Sequence, residues 1–369
     1  MNKTNWAENS KEMTETRSRK WLDHAAVKRI LIRATNWVGD AVMSLPALEA
    51  VSDIFPDAAI TVFAKPWVVP IYKAHPGVDH VLVYHKDGRG VKNLKTMMRA
   101  IIEIRRQRFD LAILFQNAFE AALLSYLGGV KFRLGYNTDG RGLLLTHAVM
   151  RDSRILNIHQ TEYYLSILRA MGWEARSRNP RITVSREDIK TAGELLESLH
   201  VQREDFLVGL SPGAIYGGAK RWPEERFARI GDLAAENWGA KIIIMGTPKE
   251  QEIAQGVCEM MTRKPINLCG KTNLGRAIGV ISLCRFFVTN DSGLMHIAAA
   301  LGIPTVAIFG STDAVTTSPK GPRTRIVRRE VECSPCLKKE CPTDHRCMLS
   351  IDPEEVWREM NVLRGEHVP

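Results

Sequence analysis

No stretch of this sequence approaches the roughly 20 consecutive apolar residues that cross a bilayer. The first 20 residues are polar and charged and lack the apolar segment of a secretory leader. A protein with neither feature is expected in the cytoplasm, with its seven cysteines mainly reduced and any membrane contact peripheral. Aromatic residues make up only 7% and are not interleaved with basic ones, which argues against a groove for single-stranded nucleic acid. No repeat of short period runs along the chain, which argues against a solenoid.

What is present fits a large soluble α/β protein. The 369 residues are 45% hydrophobic, enough for two cored domains. Fifty-one Lys and Arg against 41 Asp and Glu give a net charge of +10. A basic surface suits an anionic partner such as nucleic acid, an acidic membrane face or a phosphorylated substrate; it is equally compatible with plain solvation.

Short apolar runs alternate with helical patterns. Residues 29–33, 59–64, 81–84 and 111–115 read as buried strands, with helical periodicity from Val42 to Val51 and from Leu94 to Arg106. Around Arg176 to Pro180 the composition turns polar and basic, and the scheme then restarts. Strands are expected at 206–210, 241–245, 286–289 and 305–309, with helices at 223–238, 251–261 and 294–301. Strand–helix alternation predicts parallel sheets, and two open α/β halves predict a ligand cleft at the strand C-termini. The expected division is a disordered tail at 1–26, a first domain at 27–178 and a second at 179–369.

Five segments carry candidate chemistry. In Asn36-Trp37-Val38-Gly39-Asp40, the first strand meets the first helix; Asp40 is placed to take a proton from a hydroxyl, or to cap that helix. The loop Ser211 to Pro223 follows the first strand of the second half. Its glycines are expected to leave N–H groups open to phosphate oxygens, with Lys220 and Arg221 adding charge; the competing reading is a surface loop with two solvated cations. It lacks the Gly-Lys-Ser/Thr ending of a Walker loop. In Asn290-Asp291-Ser292-Gly293-Leu294-Met295-His296, a strand again runs straight into a helix, whose N-terminus favours a diphosphate. Asp291 there suits a sugar hydroxyl or a cap accepting from Gly293 or Leu294, and His296 reads more as packing than as chemistry. Gly246 to Glu252 offers an acid for ribose hydroxyls, or an acidic helix start.

The last segment holds Cys333, Cys336, Cys341 and Cys347 with His345 nearby. One C-x-x-C pair with irregular spacing beyond it favours a reduced, packed loop over a zinc site. No Asp-x-Asp pair occurs anywhere, so the usual device for a metal on a nucleotide-sugar diphosphate is missing. Charge on a leaving group would fall to Lys220, Arg221 and a helix N-terminus.

At these segments the chain resembles the ADP-heptose:lipopolysaccharide heptosyltransferases, and most of all the branch that adds the second heptose. The marks are Trp37-Val38-Gly39-Asp40, Lys220-Arg221-Trp222-Pro223, residues 290–296, Phe309-Gly310-Ser311-Thr312-Asp313, and Cys333-Ser334-Pro335-Cys336 with Glu340-Cys341-Pro342. The likeness runs from about Arg29 to near the C-terminus. It implies a GT-B fold of two Rossmann-like domains, with acceptor on the first and ADP-heptose on the second. It also implies inverting transfer to the heptosyl-Kdo-lipid A inner core without metal or cofactor, at the inner face of the membrane. Carried over, Asp40 is the general base and Lys220 binds donor phosphates beside Arg221. Ser292, Gly293 and Leu294 form the turn below the diphosphate, one turn ahead of His296; Asp291 meets the heptose, and Glu252, less surely Glu250, the ribose. The Ile215-Tyr216 stretch departs from the pattern, with one hydroxyl where relatives often have more. Alternatives are a heptosyltransferase with another core acceptor, a non-catalytic binder of a phosphorylated sugar, and a zinc-dependent nucleic-acid binder.

Overall fold

The computed structural model describes residues 22–86 and 91–365, and the chain divides into two compact units, one ending at Arg178 and one starting at Asn179. The first unit contains β1 (Arg29–Arg33), α1 (Val38–Met43), α2 (Leu45–Ile54), β2 (Ala59–Ala64), α3 (Val69–Lys73), β3 (His80–Val83), α4 (Val91–Gln107), β4 (Leu111–Leu114), α5 (Phe119–Leu127), β5 (Phe132–Tyr136), β6 (His147–Val149), α6 (Ser153–Leu156) and α7 (Gln160–Arg169). The second contains α8 (Arg186–Ser198), β7 (Leu207–Ser211), α9 (Glu224–Trp238), β8 (Lys241–Ile244), α10 (Gln251–Met260), β9 (Ile266–Asn267), α11 (Leu274–Leu283), β10 (Phe286–Asn290), α12 (Gly293–Ala300), β11 (Thr305–Phe309), α13 (Ala314–Thr317), β12 (Thr324–Arg328), α14 (Arg346–Leu349) and α15 (Pro353–Gly365).

Each unit holds one six-stranded sheet, and every pairing in both is parallel. The orders are β3-β2-β1-β4-β5-β6 and β12-β11-β10-β7-β8-β9. Read from the other edge, the second order repeats the first, so both are doubly wound sheets of the dinucleotide-binding type. In each, the order reverses between the first and fourth strands: β1 and β4, then β7 and β10. Helices leaving those two strands go to opposite faces, so a crevice opens beyond their C-termini.

The central strands are buried on both faces, which explains why they read as unbroken apolar runs. Ile30, Leu31 and Ile32 of β1, and Phe287 and Val288 of β10, have no exposed surface. The core of the second unit gathers Val208, Leu210, Ile242, Val288 and Ile308 from strands and Phe227, Val257 and Met360 from helices.

Three local features differ from the sequence-based expectation. The helix expected from Val42 to Val51 is two helices, α1 and α2, parting at Ser44. Pro46, at the second position of α2, has no N–H to continue the ladder from α1, so the chain restarts there. Of the expected tail, residues 1–21 lie outside the described residues. At its end, His24–Ala26 form a short 3-10 turn capped by Asp23, and the His24 ring rests 5.0 Å from Phe55. Finally, α5, α7, α8, α11 and α15 are helices beyond those expected; of these α5 (Phe119–Leu127) is evenly apolar and carries little periodic contrast.

Candidate functional site

In the first unit, β1 ends at Arg33 and the chain turns through Asn36 and Trp37 into α1. The turn is held from below. The buried Arg33 guanidinium donates to the carbonyls of Ala34 (2.7 Å) and Phe63 (3.1 Å), and to Asn36 Oδ1 (3.4 Å). Burial lowers the Arg33 pKa to about 10, which leaves it charged at neutral pH. From above, Trp67 Nε1 donates to the Asn36 carbonyl at 2.7 Å.

Asp40 does not cap α1. The N-cap is Trp37, without a side-chain cap bond, and Asp40 sits in the first turn, where the helix dipole favours a negative charge. Its Oδ1 accepts from the Tyr164 hydroxyl of α7 at 3.3 Å. Burial first, and the Asp40 charge second, raise the Tyr164 pKa far above its usual value, so the phenol remains a donor that orients the carboxylate. Nothing in the local sequence around Asp40 announces Tyr164, 124 residues away.

In the second unit, the β7 and β10 loops meet at the strand-order reversal. Lys220 Nζ lies 2.6 Å from Asp291 Oδ2, with Lys220 14% and Asp291 6% exposed. Thr312 Oγ1 donates to the same oxygen at 2.6 Å. Asp291 therefore does not cap α12: that role belongs to Ser292, whose hydroxyl accepts from Met295 N–H at 3.4 Å. Gly293 and Leu294 form the first turn, and His296 is buried one turn in. Asn290 locks the two loops together, its Oδ1 accepting from Trp222 N–H (3.0 Å) and its Nδ2 donating to the Pro212 carbonyl (2.6 Å). Trp222, fully buried, anchors the loop further by donating to the Ile351 carbonyl at 3.0 Å.

The expectation that the loop glycines leave their N–H groups open is corrected at one of them, Gly218. Gly218 N–H donates to Glu340 Oε1 (3.1 Å), and the next N–H, that of Ala219, donates to the Lys339 carbonyl (2.9 Å). A Cβ on Gly217 would meet that same carbonyl oxygen at 2.2 Å, so glycine is required there for close packing. The cysteine-bearing segment thus braces the loop. Tyr216 donates to the Leu337 carbonyl at 2.9 Å, and His345 Nε2 lies 3.1 Å from the Ala219 carbonyl. Its four cysteines are free thiols, and among the described residues no three His, Cys, Asp or Glu side chains gather to hold a metal ion.

The two acids after β8 part company. Glu250 is buried, and its Oε2 accepts from Thr247 N–H and Thr247 Oγ1, both at 2.7 Å. Its other oxygen faces Gly213, where an added Cβ would come within 2.2 Å. Glu252 is exposed on the first turn of α10. Arg221 lies at the end of the loop's short 3-10 turn, half-buried beside Lys220.

Two Rossmann-like parallel sheets, with polar groups collected at the reversal of strand order, are the architecture of the GT-B class of glycosyltransferases. The family model for glycosyltransferase family 9 (heptosyltransferase) matches residues 97–346, and the chain belongs to that family. It is 31% identical over 355 residues to lipooligosaccharide heptosyltransferase 2 of Haemophilus ducreyi, covering 91% of this chain and 99% of the relative. The solved E. coli ADP-heptose lipopolysaccharide heptosyltransferase II superposes with a TM-score of 0.79 at 26% identity, over 92% of this chain and 100% of that one. A second E. coli heptosyltransferase, solved with ADP-2-deoxy-2-fluoro heptose, shares the fold at a TM-score of 0.68 and 19% identity, over 90% and 99% of the two chains.

Proposed function

We propose that this enzyme transfers a heptose from ADP-heptose to the heptosyl-Kdo-lipid A inner core of lipopolysaccharide, adding the second heptose. The observation that carries the reading is the Lys220–Asp291–Thr312 cluster beside the N-terminus of α12, in a chain similar over nine-tenths of its length to second-heptose enzymes. The second unit takes the donor. Lys220 and the N–H groups of Ser292, Gly293 and Leu294 meet the diphosphate, with Arg221 alongside; Asp291 turns from Lys220 to the heptose hydroxyls. Glu250, aimed at the Gly213 turn, is preferred to the exposed Glu252 for the ribose.

The first unit takes the acceptor. Asp40 accepts the proton of an acceptor hydroxyl as that oxygen attacks the anomeric carbon on the face opposite ADP. The bond from the anomeric carbon to phosphate breaks, its electron pair leaves with ADP, and the configuration inverts. The transition state resembles an oxocarbenium ion, and the leaving diphosphate gains charge that Lys220 and the helix terminus offset. The lipid-linked acceptor puts the enzyme at the cytoplasmic face of the inner membrane, held peripherally; among the described residues no helix is long and apolar enough to span it.

Incubation with ADP-heptose and heptosyl-Kdo-lipid A, followed by ADP release and product mass, tests the proposal. Stoichiometric ADP and an acceptor heavier by one heptose are expected. Turnover confined to Kdo-lipid A, or to a longer core, would replace the acceptor assignment; tight donor binding with no turnover on any core acceptor would leave only a binding protein.

A further inference from the structure

Helix α4 (Val91–Gln107) carries two apolar faces where a surface helix needs one. Its inner face, Met97, Ala100, Ile101 and Ile104, packs into the core of the first unit. On its outer side Leu94, Met98 and Ile102 are 58%, 49% and 49% exposed. These three are spaced by four residues, so they form a continuous ridge turning by about 40° at each step and running roughly 12 Å along the helix. Lone exposed apolar residues are ordinary, but an aligned ridge is a patch.

The charge beside the ridge names the partner. Lys95, Arg99 and Arg106 are exposed and follow it on one flank at spacings of four and seven, and among the described residues none of them pairs with an acid. The acid of this helix, Glu103, lies beyond that flank and accepts from Gln107 at 3.1 Å. At the far end, Arg105 donates to the Leu127 carbonyl at 3.3 Å, where α5 exposes Tyr126 and Leu127. An apolar ridge edged by cations, with a tyrosine near its end, is the pattern of a helix lying in a lipid headgroup layer. A protein partner would meet this patch with acids and a shaped groove; anionic lipid meets it with charge alone, in keeping with a net charge of +10.

We propose that the outer face of α4 is the surface by which this protein docks on an anionic bilayer. The proposal rests on the peripheral-membrane reading above and names the surface responsible. It is tested by flotation of the full-length protein with vesicles of phosphatidylglycerol and phosphatidylcholine, read without substrate so that catalysis does not enter. Wild type is expected to float with them, less so at high salt and hardly at all with phosphatidylcholine alone. The variant L94S/M98S/I102S and, separately, K95Q/R99Q/R106Q should each partition on the order of tenfold less. Both should keep the melting temperature and turnover on a deacylated, soluble acceptor. Vesicle binding by wild type with no loss in either variant would overturn this surface and leave the peripheral reading standing. Failure of wild type to bind at low salt would overturn both, and equal binding to neutral vesicles would overturn the role of anionic lipid.

Discussion

Asp40 and Lys220 are held by different physics. Asp40 sits in the first turn of α1, and its Oδ1 is oriented by a phenol that burial keeps protonated. For D40N, a fall in kcat of about 10²–10⁴-fold is expected from loss of a general base. ADP affinity by calorimetry should stay at the wild-type value, because the residue belongs to the first unit. Weakened ADP binding would tie it to the donor instead. Lys220 is held by Asp291 in a part-buried ion pair at 2.6 Å. K220M should lower kcat by on the order of 10²–10³-fold, as removal of a charge from a leaving group does, and weaken ADP. Unchanged ADP affinity would argue that Lys220 serves only to place Asp291. The sequence marked both residues as chemistry but gave neither its partner, since Tyr164 and Asp291 come from distant segments.

At the scale of elements, the loop from Ser211 to Pro223 is shaped by what packs behind it. Asn290, last residue of β10, satisfies the N–H of Trp222 and the carbonyl of Pro212 in a fully buried position. N290A would leave both groups unpaired, at a cost of about 2–4 kcal/mol. The expected outcome is a lower melting temperature together with weaker ADP binding, since the loop loses its tie to β10; retention of both by calorimetry would refute the coupling. The cysteine-bearing segment, legible as an anomaly of composition, proves to be a brace: residues 337–345 meet Tyr216, Gly218 and Ala219 through main-chain and side-chain bonds. Spacing alone could not reveal this, because the contacts use carbonyls and N–H groups that every residue has.

For the molecule as a whole, pH sensitivity is built into the first unit. His75 is 4% exposed, and burial lowers its pKa to about 4. Glu49 lies 3.9 Å from its Nε2, too far for a hydrogen bond, and is shared with Arg178 at 3.6 Å, so desolvation wins. The neutral ring accepts from Gly77 N–H through Nδ1 at 3.1 Å. A depressed native pKa means that the unfolded chain binds the proton first. The stabilisation is therefore complete above about pH 6.5 and is lost as pH falls toward about 4. Relative to H75Q, wild type should lose on the order of 3 kcal/mol of unfolding free energy over that window. Parallel denaturant titrations of the two proteins would show it; parallel pH curves would mean that the ring is solvated.

The sequence by itself determined the two parallel sheets. Fully buried strands must be continuous apolar runs, and the runs alternate with helical patterns. It also singled out the strand ends at which Asp40, Lys220 and Asp291 stand, because all three follow such runs. Only the tertiary structure decided the strand order that brings β7 beside β10, and with it the meeting of Lys220 with Asp291 across 71 residues. It decided as well that Ser292 and not Asp291 caps α12, and that Glu250 and not Glu252 faces the Gly213 turn. The reason is the same each time. Periodicity records which face of an element is dry, but the partner of a polar side chain depends on which segments the sheet places next to one another.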